Sequence, residues 1–243
     1  MSGHSHAKTI KHQKEITDQK RGNLFSKLAR MISVSAKEKG GNPETNYALR
    51  VAIEKAREIN MPQDNIERAI KRGAGELGGG AQLEEIIFEA YGPGGIAIII
   101  EGITDNKNRT LGEIKQILSQ NNGKLAGEGS VKWMFERKGC IALRITNQYE
   151  YTNREKLEMT VIEAGAEDIY WHNDILDIYT KIEELEKVKR NLEERGIKIE
   201  SSSDWVAKEK VEVDEGVKET CQKLFKALDE NEAVQEIYSN LKV

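Results

Sequence analysis

Cysteine, proline and aromatic residues are scarce in this chain of 243 residues: two Cys, three Pro and 6% aromatics. Cys140 and Cys221 lie 81 positions apart, with no CxxC and no Cys beside a His, which excludes a disulfide framework and a cysteine-based metal site. Both fall on apolar patterns and read as small hydrophobes. No hydrophobic run exceeds the five residues Ile96 to Ile100, so neither a signal peptide nor a membrane span is expected, and the protein is expected to be cytoplasmic. The phosphate, dinucleotide, zinc-protease and acyl-transfer signatures GxxxxGK[ST], GxGxxG, HExxH and GxSxG are absent. No positioned acid, base or nucleophile stands out, so no enzyme, cofactor or small-molecule substrate is expected. His4, His6 and His12 sit in a segment with no Cys and few acids, which argues against a metal site. His172, in WHND, reads as a turn residue.

What is present is polarised charge. Residues 1–75 hold nine Lys and six Arg against eight Asp and Glu, a formal +7, while residues 76–243 carry 22 basic and 33 acidic residues, a formal −11. The total of −4 conceals this asymmetry, which points to a polyanionic partner for the basic segment. Residues 3–14 have only Ala7 and Ile10 as apolar members and read as a basic arm that orders on its ligand. From Thr17 the spacing turns helical, with Leu24, Leu28, Met31, Ile32 and Ser35 on a dry side and Lys27, Arg30 and Lys37 on a cationic one. Gly40 and Gly41 end that helix. Asn42-Pro43 reads as the cap and first turn of a second helix, and a third starts at Pro62 and stops at Gly73. The expected result is a small three-helix core with basic outer faces. Candidate phosphate contacts are Lys8, Lys11, His12, Lys14, Lys20, Arg21, Lys27 and Arg30, with Lys71 and Arg72 closing the third helix.

The segments GHSHAKTIKHQKEITDQKRGNLFSKLARMI, NPETNYALRVAIEKAREINMPQDNIERAIKRGAGE, EAYGPGGIAIIIEGITDNKNRT and GSVKWMFERKG resemble the YebC/PmpR family of bacterial proteins, which also includes mitochondrial translational activators. The resemblance is close over residues 3–139 and looser beyond. It implies three domains and two versions of one role, a DNA-binding transcriptional regulator or a ribosome-associated translation factor acting on ribosomal or transfer RNA. One departure is Ala7, where the family usually carries a Trp.

Along the rest of the chain, the glycines of ELGGGAQ (76–82) mark a hinge. Ile86–Tyr91 and Ile96–Glu101 read as a hairpin joined by Gly92-Pro93-Gly94-Gly95, with a type II turn at Pro93-Gly94. TDNKNRT (104–110) opens a helix, and its Lys107 and Arg109 are secondary candidates for phosphate contact. Val131, Trp133 and Phe135 alternate as a strand. From Cys140 to 205 the order is βαββαβ, the ferredoxin-like sequence of elements. Strand 209–213, helix 216–230 and strand 233–239 are half of a second such unit, completed by 95–136. The expected fold is α+β in three domains: an arm and three-helix domain (1–77), a discontinuous middle α/β domain (82–136 with 207–243), and an inserted ferredoxin-like domain (137–206). The expected function is a non-enzymatic nucleic-acid-binding regulator, with a protein-interaction module that binds no nucleic acid as the lesser alternative, and no membrane partner is expected.

Overall fold

The computed structural model describes residues 18–77, 82–144, 154–172, 175–197 and 199–242. The expected arm at 3–14 and the glycine hinge at 78–80 lie outside the described residues.

The N-terminal unit is three helices, α1 (Asp18–Lys39), α2 (Tyr47–Glu58) and α3 (Gln63–Gly73). They close over Ile32, Ala36, Leu49, Ala52, Ile53, Ala56, Met61, Ile66 and Ala69, a core of short side chains that lets the helices approach closely. The closest approach is at Gly73, where a Cβ would collide with the Ser33 carbonyl oxygen, and Ser33 Oγ donates to Ala69 O at 2.8 Å. The second helix starts four residues later than Asn42-Pro43 suggests. Asn46, fully buried, caps it by accepting from Leu49 N (3.1 Å) and donates to Ser35 O (2.7 Å) and Gly40 O (2.8 Å), tying the start of α2 to the end of α1.

The middle domain is an antiparallel sheet in the order β3-β1-β2-β8, where β1 is Glu84–Tyr91, β2 Ala97–Thr104, β3 Lys124–Leu125 and β8 Val234–Ser239. Helices α4 (Lys107–Gln120) and α7 (Glu215–Asp229) pack on one face through Ile114, Leu118, Cys221, Leu224, Phe225 and Leu228. The hairpin turn is a 3-10 turn at Pro93–Gly95 with Gly94 at φ 69° and Gly95 at φ 76°, backbone that glycine reaches without strain. The third domain holds β4 (Phe135–Arg144), α5 (Arg154–Ala164), β5 (Asp168–His172), β6 (Ile175–Thr180), α6 (Leu185–Glu193) and β7 (Glu200–Ala207). Its sheet order, β5-β6-β4-β7, is that of a ferredoxin-like fold, and His172 ends β5 rather than standing in a turn.

The two sheets share one spatial order reached by different routes. In the middle domain β1 occupies the place that the expected strand at 209–213 would have filled. That segment makes only one bridge, Val211 to Leu241. Val131 and Trp133 do not belong to a strand either. A 3-10 turn at Lys132–Met134 leads into β4, because the Glu89 carboxylate gathers the backbone N–H groups of Gly129, Val131 and Lys132 and bends the segment around itself. The last strand of the third domain begins at Glu200, since Ile197 N still donates to Leu192 O in the turn that closes α6.

Candidate nucleic-acid interface

Helix α1 sets the distribution of positive charge. Its residues from Ile32 to Ala36 are all buried, because the helix packs on two partners at once: the three-helix core, and the middle domain through Val34, Leu83 and Ile103. The side expected to be a solvent-facing cationic surface therefore meets protein. Lys27 is 4% exposed, and its Nζ donates to the Asp229 carboxylate (2.7 Å) and to Asp229 O (2.6 Å). Asn23 Nδ2 donates to Glu230 O at 3.0 Å. Together they satisfy the carbonyl end of α7, where unpaired C=O groups and the negative end of the helix dipole attract a cation. Arg30 reaches Glu232 (3.3 Å) and Ile103 O (3.4 Å), and Lys37 donates to Leu83 O at 3.1 Å. Lys27, Arg30 and Lys37 are docking residues between the first two domains, a departure from the solvent-facing row that their helical spacing suggests.

The other candidates fall into three groups. Arg21, Lys71, Arg72 and Lys107 are exposed, with no ion pair among the described residues. Lys71 and Arg72 lie at the end of α3, just before Gly73, which meets α1 at Ser33; Ser33 is twelve residues, a rise of about 18 Å, along α1 from Arg21. Arg109 is exposed and paired with Asp105 (2.6 Å) and Glu113 (3.7 Å). It lines a cleft of about 340 Å³ with Arg30, Glu113, Glu230 and Glu232, in which both signs of charge meet. Lys8, Lys11, His12, Lys14 and the side chain of Lys20 lie outside the described residues.

Sequence reasoning missed Glu89. It is 5% exposed in the middle of β1, and its oxygens accept from Gly129 N (2.5 Å), Val131 N (2.7 Å) and Lys132 N (2.8 Å). Burial pushes this carboxylate up, but the three N–H donors and the Lys132 ammonium outweigh burial, and its pKa lies below the ordinary glutamate value. The one available signal was an acid set between apolar residues, Phe88 and Ala90, within the strand. A second network joins the middle and third domains: Glu101 accepts from Arg137 (2.6 Å), Trp205 Nε1 (2.8 Å) and Tyr238 Oη (3.4 Å). The first and third domains meet where Lys189 Nζ donates to Tyr47 Oη at 3.0 Å. Among the described residues no group of three or more His, Cys, Asp or Glu could hold a metal ion, and no helix is long and apolar enough to cross a membrane.

The described part is thus a basic helical unit docked on two net acidic α/β domains. Two family profiles match the chain: the TACO1/YebC protein N-terminal domain over residues 5–76, and the TACO1/YebC second and third domain over 83–241. The chain belongs to the TACO1/YebC family. Relatives named "Probable transcriptional regulatory protein" include one from Halothermothrix orenii, 47% identical over 100% of this chain and 96% of its own length. Another, from Thermotoga maritima, is 45% identical over 100% and 94%. A crystal structure of a conserved hypothetical protein from Aquifex aeolicus superposes with a TM-score of 0.84 at 43% identity, covering 96% of this chain and 95% of that one.

Proposed function

We propose that this chain is a non-enzymatic, cytoplasmic regulator of gene expression that binds nucleic acid through its N-terminal unit, as a transcriptional regulator on DNA. The carrying observation is that Arg21, Lys71 and Arg72 stand exposed, without ion pairs among the described residues, on a unit of formal +7, while the remainder is −11. Exposed cations without an ion pair are available to phosphates, and a polyanion meets a more favourable potential at the basic unit than at the net acidic remainder. The names of the relatives support a regulatory role.

A second reading, a ribosome-associated translation factor on ribosomal or transfer RNA, is favoured by one specific observation. A groove-reading helix presents its N-terminal residues to base edges. That end of α3 carries Asp64 and Glu67, both exposed, which would meet phosphates instead. Sequencing the nucleic acid crosslinked to the protein in cells separates the readings. Chromosomal sites support the first and ribosomal or transfer RNA the second, and recovery of no nucleic acid refutes both.

A further inference from the structure

We propose that Trp133, with Lys132 and Lys208 beside it, is a stacking platform for an unpaired nucleobase of a single-stranded nucleic acid, at the junction of the middle and third domains. The proposal rests on the nucleic-acid-binding reading but places a contact far along the chain from the basic unit.

Trp133 is 65% exposed, the highest value among the large hydrophobic side chains described. An indole in water is unfavourable by the area it fails to bury, and a flexible turn would fold it down. This turn cannot. Its neighbours Val131 (0% exposed) and Phe135 (4%) are anchored in one apolar cluster with Ala97, Ile99 and Tyr238. Glu89 fixes the backbone on the N-terminal side with three hydrogen bonds, and on the other side Lys208 N donates to Met134 O at 3.0 Å. The Trp133 carbonyl accepts from Lys208 Nζ at 2.9 Å, and the indole N–H donates to Ser130 O at 3.0 Å. With its one polar atom satisfied internally, the ring offers solvent an apolar π surface on a rigid base.

The charge around it suits one occupant. Lys132 lies with its ammonium 5.2 Å from the Trp205 ring, Lys208 reaches the Trp133 carbonyl, and Lys124 lies 5.7 Å from the Tyr91 ring, whose hydroxyl donates to the same Ser130 O. All three ammonium groups belong to exposed residues. Aromatic surface for the base and ammonium groups for the flanking phosphates is the combination by which single strands are held without regard to sequence. An apolar protein segment would leave those ammonium groups unanswered.

The test uses the full-length protein and labelled oligouridylate and oligothymidylate of about 15 nucleotides, a length that spans one such site. Trp133→Ala should weaken binding roughly 5- to 100-fold, the range measured for loss of one base–aromatic stack. Trp133→Phe keeps a ring and loses the N–H, and should stay within about 3-fold of the parent. Lys132→Ala should reduce the slope of log affinity against log salt by about one. Photocrosslinking of an iodouridine-substituted strand to the unsubstituted protein should label the peptide that contains Trp133, a readout independent of how any variant folds. A preference for one of the two oligomers tells RNA from DNA. Crosslinks confined to other peptides, parental binding by Trp133→Ala, or equal loss in Trp133→Ala and Trp133→Phe would overturn the platform. If the Arg21, Lys71 and Arg72 triple alanine variant loses binding while Trp133→Ala does not, the nucleic-acid reading stands and the platform falls. No binding of any nucleic acid by the unsubstituted protein would sink both.

Discussion

Replacing Lys27 by Met tests whether this cation belongs to the fold or to a ligand. The side chain keeps its length and loses its charge. Lys27 and Asp229 have side chains 5% and 19% exposed, with Nζ 2.7 Å from the carboxylate. Removing one member of a buried pair costs about 3–5 kcal/mol, because the other charge stays desolvated. Partial exposure lets water reach Asp229, so about 2–4 kcal/mol is expected here, including the donor lost from Asp229 O. For a chain of this size that corresponds to a fall of roughly 5–12 °C in the thermal midpoint of the transition that separates the first two domains. The salt slope of nucleic-acid binding should not change, whereas Arg21→Ala should lower it by about one with little effect on the midpoint. Adding Asp229→Leu to Lys27→Met should restore part of the loss, since an apolar pair removes the stranded charge. A midpoint within about 1 °C of the parent together with a flattened salt slope would refute the docking assignment.

Glu89→Gln can keep the oxygen that accepts from Val131 N and Lys132 N but loses the charge and the acceptor for Gly129 N, and should cost about 1–3 kcal/mol at neutral pH, read by denaturant unfolding. The folded pKa of Glu89 lies below 4.5, so its stabilisation is complete above that value and is lost as pH falls through the folded value; the gap between parent and Glu89→Gln should therefore narrow in acid. Gly73→Ala places a methyl against the Ser33 carbonyl and should destabilise the three-helix unit by about 1–3 kcal/mol, and an unchanged melting curve would show that α3 shifts freely. An excised segment 135–207 should fold alone, with dispersed amide resonances, because β4 to β7 close their own sheet and core. Truncation after 207 should unfold the middle domain, which would lose β8 and α7, and retention of its native hydrogen-exchange protection would contradict the discontinuous boundary.

The legible parts of the sequence were those governed by local periodicity. The three helices, the hairpin around Pro93 and the βαββαβ order from β4 to β7 follow from apolar spacing of 3.6 or 2 and from glycine and proline at the turns. The second sheet was legible in composition but not in route. Strand 209–213 had the right pattern and the right place in the count, yet β1, already beside β2 through the hairpin, supplies the strand that completes the order. Chain order names the elements of a sheet; it does not say which of two candidate strands takes a given place in it.

The charge pattern misled for a physical reason of the same kind. Lys27 and Arg30 alternate with the apolar stripe of α1 as a solvated face would, and helical spacing alone cannot distinguish water from another domain on that side. The decisive groups lie about 200 residues away, at the carbonyl end of α7 and in the turn after it. What the fold does with these two cations is to turn a uniform basic helix into two functional lengths. From Asn23 onward α1 is a clamp on the middle domain; before it, Arg21 is exposed with no ion pair among the described residues. A polyanion approaching the first domain would therefore meet the start of α1 and the end of α3, and pulling on α1 would load the Lys27–Asp229 pair that anchors it to α7. With a ligand held at the start of α1 as proposed, binding and domain docking would share one helix, and weakening the dock should also weaken that binding.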